Sequence, residues 1–118
     1  MAIQTPALRE TLADAYGAEA LYGAVYTSTP GVTAGTEPTG GTPAYARKSL
    51  TWSAASTSGG VTTITATAVF DVPASTTVVG VGVHDAATAG NYLDGGTITS
   101  QAFASQGTLT VTFTYTQS

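Results

Sequence analysis

His84 is the only histidine of the chain and is followed directly by Asp85, a pairing that hydrolases use for a base and its orienting carboxylate. His84 ends the run "VVGVGVH", whose alternation is typical of a β-strand, where consecutive side chains point to opposite faces. The two groups therefore cannot orient each other. The chain also has no Cys and no G-x-S-x-G motif that could supply a nucleophile. We expect no catalytic residue and no enzyme activity.

Oxygen ligands suited to calcium are present at Asp71, Asp85, Asn91 and Asp94, all in or beside predicted turns. Their spacing lacks the dense Asp/Asn pattern of a calcium loop, and an Asp in a turn usually bonds its own backbone. "GVGVH" is glycine-rich, but its valines alternate as in a strand and no helix start follows, so a phosphate loop is disfavoured. Its glycines are expected to make room for a packed aromatic ring or another backbone. We predict no metal and no cofactor.

The stretch "TPAYARKSLTW" (42–52) holds two of the three basic residues, Arg47 and Lys48. On a strand, Lys48 and Trp52 share one face and Arg47 lies on the other. We expect Trp52 to be buried, with Lys48 reaching solvent near the start of the strand. Arginine is enriched where protein surfaces meet, so Arg47 is a candidate interface residue.

Charged residues are sparse over the 118 positions, at 8% against about 25% in ordinary domains. The formal net charge of -4 gives no positive field for a phosphate backbone, so nucleic-acid binding is disfavoured. No stretch approaches the roughly 20 apolar residues that span a bilayer, and the N-terminus does not have a signal peptide's pattern. We therefore expect a protein with no membrane association, whose weakly charged surface suits contact with other proteins.

One short helix is predicted in the N-terminal segment, residues 1–17. Thr5 can cap it, Pro6 suits its first turn, and Gly17 suits a left-handed stop. Four residues at helical spacing form its predicted docking face: Leu8, Leu12, Ala15 and Tyr16.

From residue 20 onward the apolar period is two. "VTTITATAVF" and "TLTVTFTYT" alternate apolar and Thr residues, which is typical of antiparallel strands with one buried face. Four further strands are predicted at 20–28, 46–54, 76–86 and 97–105. Turns are predicted between them, including "DGG" at 94–96.

About six or seven short strands predict a mainly β fold, an antiparallel β-sandwich of jelly-roll or Ig-like type with one short N-terminal helix. Residues 1–118 are expected to form a single domain with Trp52, Phe70, Val81 and Phe113 inside. The Gly/Pro/Thr-rich segment 28–43 is an ordered arm or a loop, and composition does not choose between them.

Several motifs together resemble a family of small actinobacteriophage virion structural proteins, variously labelled minor capsid, decoration or tail fibre protein. They are "TSTPG", "GGTPAYARKSLTW", "FDVPASTTVVGVGVHDAATAGNYLDGG" and "QAFASQGTLTVT", preceded by a short helix. The resemblance covers nearly the whole chain. It implies a virion location, reached by assembly in the cytoplasm of the bacterial host.

Two functions follow from that resemblance. The first is a minor capsid or head decoration protein that binds the outer capsid and stabilises it, as a homo-oligomer that we take to be a trimer. Its partners would be the major capsid protein or other virion proteins. The alternative is a tail fibre or tail-appendage module that binds a host surface glycan through exposed aromatics, for which Tyr22, Tyr26 and Tyr92 are candidates. Decoration is favoured because one small domain lacks a coiled coil or a repetitive shaft.

The contact surface is expected on the helix and on segment 28–43, which have the least reason to be ordered alone. The candidate interface residues are Leu8, Leu12, Pro30 and Pro38, with Arg47 and Lys48 at the margin.

Overall fold

The computed structural model describes residues 3–118, so the first two residues of the predicted helical segment lie outside it. The described part contains one helix and seven strands. They are α1 (Pro6–Glu19), β1 (Tyr22–Tyr26), β2 (Lys48–Ser49), β3 (Ser56–Ser58), β4 (Val61–Val72), β5 (Thr76–His84), β6 (Tyr92–Phe103) and β7 (Gly107–Gln117).

The strands form two antiparallel sheets, one ordered β2-β1-β5-β6 and the other β3-β4-β7. β4 lies across β1 and β2, which places β7 over the β5–β6 half of the facing sheet. The predicted antiparallel sandwich is confirmed. The molecule is elongated at 48 × 26 × 24 Å, and its radius of gyration of 15.2 Å exceeds the roughly 13–14 Å of a compact chain of this length.

The hydrophobic core includes the inner face of β4, a strand in which apolar and Thr residues alternate clearly in the sequence. Ile64, Ala66, Ala68 and Phe70 of β4 are buried as predicted, while the Thr residues between them are more exposed. Phe70 meets Phe113 of β7 edge to face with ring centroids 6.3 Å apart, a geometry that aromatic pairs favour. Trp52 and Val81 are half-buried at the margin of this core.

The helix begins as predicted but ends later. Thr5 Oγ1 accepts a hydrogen bond from the Leu8 N–H at 3.4 Å, with Pro6 in the first turn. Gly17 is not the stop, because the helix continues to Glu19. A Cβ on Gly17 would lie 3.2 Å from Trp52 Cγ, so the missing side chain lets the helix pack closely on Trp52.

The predicted docking face of the helix is wrong for three of its four residues, and Tyr16 is the one that packs against the core. Ala13 is its buried residue, whereas Leu8 is 49% and Leu12 39% exposed, and Ala15 is exposed as well. The helix approaches the sheet through small residues, and Glu10 accepts a 2.9 Å bond from Thr57 Oγ1 of β3. That orientation turns the leucines away from the core.

Two strand boundaries differ from prediction. Only Lys48–Ser49 of segment 46–54 pairs as a strand, because the chain then crosses from one sheet to the other: the Leu50 N–H donates to Leu21 O and the Ser53 N–H to Thr65 O. The predicted "DGG" turn at 94–96 lies inside β6, where Gly95 pairs with Gly82. Backbone pairing with β5 sustains this strand without apolar alternation.

Candidate functional site

Arg47 lies in a polar cluster that ties three segments together. Its guanidinium pairs with Glu37 at 2.8 Å and donates to the carbonyls of Ala86 and Ala89 at 3.0 and 2.8 Å. Tyr45 Oη donates to Glu37 Oε1 at 2.7 Å. The Arg47 side chain is only 12% exposed, so this cluster fastens segment 28–43 to the loop after β5.

The two charged groups of this cluster, the Arg47 guanidinium and the Glu37 carboxylate, form an ion pair with each other. Burial by itself raises the pKa of Glu37, but hydrogen bonds from Arg47 and Tyr45 outweigh it and leave that pKa lowered. Burial and the neighbouring carboxylate raise the pKa of Tyr45. An open groove of about 340 Å³ lies beside Glu37 and Arg47, near the low end of small-molecule sites. Because carboxylate and guanidinium already bind each other, the arrangement is suited to holding loops in place.

The other candidate interface residues are scattered. Lys48 Nζ lies 3.3 Å from Asp71 Oδ2 and is 37% exposed, as expected for a lysine near solvent. Pro30 and Pro38 are buried within this chain, Pro30 against Gly80. The structure thus brings Pro38 beside Arg47 but leaves Leu8 and Leu12 on the helix. An interface role for these residues stays a prediction.

Segment 28–43 folds against its own domain. The Thr27 N–H donates to Thr36 O at 2.7 Å, and Thr36 N–H donates to Ser28 Oγ at 2.8 Å. Gly35 packs against the ring of Tyr26. Val32, at the tip of this segment, is fully exposed.

His84 and Asp85 point apart, as predicted. His84 is buried and its Nε2 lies 2.6 Å from Tyr26 Oη, while Asp85 accepts bonds from the backbone and side chain of Asn91 at 2.7 and 2.8 Å. Burial, and secondarily the charge of Arg47, lowers the pKa of His84. Tyr26 is fully buried, so its predicted place among exposed aromatics is wrong, and Tyr22 and Tyr92 are half-buried.

The glycines of "GVGVH" make room for neighbours, which confirms their predicted role. A Cβ on Gly82 would collide with the Tyr26 side chain, and one on Gly80 would collide with the ring of Pro30. Both glycines lie in β5 and are paired with β1 on one side and with β6 on the other.

The sequence patterns did not predict a further exposed feature: β6 and β7 are the outermost strands of their sheets and lie on the same side of the sandwich. Within residues 3–118 neither has a strand paired on its outer edge. Nine of the twelve β6 residues are exposed and none is buried. We call these two edges, with the cleft between them, the open side.

Tyr16 of α1 bridges one end of the open side. Its hydroxyl donates to Asp94 Oδ2 of β6 at 2.8 Å, and its ring stacks on Tyr115 of β7 with centroids 3.9 Å apart. Burial, followed by the bond to Asp94, raises the pKa of Tyr16. The cleft beside it has a volume of about 240 Å³ and is lined by Trp52, Phe113 and the backbone of Gly95, among others.

Residues 3–118 place no three His, Asp or Glu side chains close enough to hold a metal ion together, and the predicted lack of metal and cofactor stays a prediction. The helix that the structure describes is too short to cross a bilayer.

Comparison with known proteins gives one family. Residues 8–117 match the family model described as podophage GP4 fiber I protein gp80. No curated protein and no solved structure matches. The match supports the predicted virion structural role and association with other virion proteins, but it adds nothing in favour of an actinobacteriophage origin or a minor capsid label. The chain therefore belongs to the gp80 family of podophage fibre proteins and is a structural component of the phage particle.

Proposed function

We propose that this chain is a structural subunit of a fibre on the podophage tail. The observation that carries the proposal is the family match, which extends from the first turn of α1 to the last residue of β7. It favours the tail-fibre alternative over head decoration, which the sequence analysis had preferred.

The shape of the chain supports a fibre role. The argument for decoration was that one small domain has no shaft of its own. The domain is, however, 48 Å long and about half as wide, and its two longest unpaired edges lie on one side. A module of this kind can be joined to further chains, so the shaft can come from assembly instead of from a coiled coil.

The proposal is limited to a structural role. The polar side chains that could do chemistry are bonded to each other: Arg47 to Glu37, His84 to Tyr26, and Asp85 to Asn91. These contacts support a protein that is not an enzyme. Binding of a host glycan is not included, because Tyr26, one of the three aromatics on which that prediction depended, is buried.

The experiment is to locate the chain on the virion. A short epitope tag is inserted after Val32, the fully exposed tip of segment 28–43, and gold-labelled antibody is imaged on tagged particles. A second tag between Gly59 and Gly60, in the open turn before β4, controls for the insertion site. Gold at the tail with both tags is expected. Gold distributed over the head with both tags would show that the chain decorates the capsid.

A further inference from the structure

The outer strands on the two sides of the sandwich differ in length. On one side the outer strands are β2 and β3, with two and three residues, and beyond Thr63 β4 has no strand partner on that edge among the residues that the structure describes. On the open side the outer strands are β6 and β7, with twelve and eleven residues. An exposed edge presents a row of unpaired N–H and C=O groups that can pair with another strand. The long edges each offer such a row over about 37–40 Å of strand.

The usual means of protecting an edge are nearly absent from the open side. β7 contains no charged residue and no proline, and β6 contains one charge, Asp94, which Tyr16 holds. Lys48, the lysine that could guard an edge, lies in β2. The pairing of β6 with β5 is irregular at two points, opposite Val78–Gly80 and opposite Val83–His84.

We infer that the open side is an interface between two copies of this chain, in which the β6 edge of each copy pairs with the β7 edge of the other. This goes beyond the proposed function, because it holds wherever the chain lies on the virion. The edges differ by one residue in length, and each copy offers one edge from each sheet. Because both edges lie on the same side, a two-fold pair satisfies both edges of each copy and joins each four-stranded sheet to the partner's three-stranded one.

Charge and area favour a second copy as the partner. The whole chain carries a net charge of -4, yet the two edges together hold a single carboxylate, so identical copies meet there with little repulsion. A strand edge about 37 Å long and about 10 Å wide covers on the order of 370 Å². Two such edges per copy reach about 750 Å², close to the roughly 800 Å² per partner of a stable interface.

Cysteine crosslinking tests the pairing, since the natural chain has no Cys. Ser100→Cys places a thiol on exposed β6 and Thr110→Cys places one on exposed β7. The two variants are mixed, one carrying a size tag, and treated with a short bismaleimide. Ser58→Cys, on the short β3 edge, is the matched control.

The expected result is a mixed β6–β7 product at least tenfold more abundant than either self-product or any product with Ser58→Cys. Sedimentation of the unmodified chain should show a dimer whose share of the material rises with concentration. The inference is overturned if the chain stays monomeric up to near-millimolar concentration, if β6–β6 or β7–β7 products dominate, or if only another virion protein covers these edges. None of these outcomes changes where the gold-labelled tags lie, so the tail proposal is tested separately.

Discussion

β4 and β6 are both twelve residues long but lie in opposite surroundings. β4 pairs with β7 over nearly its whole length and with β3 at its first three residues, and it buries every second residue, six in all. β6 is paired on one edge only and buries none. Buried apolar side chains are therefore concentrated in one half of the sandwich, whereas the other half is held mainly by backbone pairing. The stability of the isolated domain should depend on the first half, and its assembly on the second.

The largest expected effect is in β4. Phe70→Ala removes a fully buried ring and should lower the free energy of unfolding by about 3–5 kcal/mol. Val69→Ala is the control, because the neighbouring Val69 is 50% exposed and should lose less than about 1 kcal/mol. Urea unfolding measures both. Similar losses for the two variants would mean that the buried face of β4 is assigned wrongly.

The next largest effect is expected from the adjacent basic residues Arg47 and Lys48. Arg47→Met leaves Glu37 half-buried without its cation and should cost about 2–4 kcal/mol. Lys48→Met removes an ion pair that is open to solvent and should cost less than about 1 kcal/mol. Thermal unfolding of the two variants compares them directly. An equal, small loss would contradict the clamping role of Arg47.

Substitutions at two glycines compare the packing of the neighbouring strands β5 and β6. Gly82→Ala in β5 forces a methyl group against Tyr26 and should cost about 1–3 kcal/mol, whereas Gly96→Ala in β6 meets no atom within 4 Å and should be nearly neutral. Chemical denaturation of the pair is the measurement. A substantial loss at Gly96 would show that the inner face of β6 is packed in the isolated chain.

The smallest expected effect is a dependence of folding stability on pH, caused by buried His84. Burial lowers the pKa of folded His84, so as the pH falls below about 6.5 the unfolded chain takes up that proton first and the folded state loses stability. Stability should therefore be full above pH 7 and decline toward pH 5. His84→Gln should abolish this decline, as followed by melting temperature across that range. An unchanged decline in the variant would assign the titration to another group.

Sequence patterns predicted the part of the fold in which side chains decide the structure. The alternation in β4 and β7 follows from burial on one face, and Thr5 and Pro6 follow from helix capping. "DGG" was wrongly predicted as a turn because an edge strand needs only backbone pairing, and glycine supplies that as well as any residue. The helix face was wrong because small residues at Ala13 and Gly17 allowed closer packing than leucine.

The candidate site was predicted less well for a related reason. Arg47 was found from its rarity, but no local pattern links it to Glu37, ten residues before it, and the carbonyls it binds lie 39 and 42 residues after it and are brought to it by folding. The open side could not be predicted from local sequence, because the order of the strands in the folded sheets decides which strand has an unpaired edge. Its trace in the sequence is the lack of charge across β7.

The most direct test of the account is amide hydrogen exchange of β6 and β7 in the dilute chain and in its assembled form. In an antiparallel edge strand every second N–H points outward, so about half of the amides in each strand should exchange quickly when the chain is dilute. We predict that these amides become protected on assembly, while the β4 amides that donate to β7 are protected throughout. Outward amides of β6 and β7 that stay equally fast in the assembled form would contradict the account.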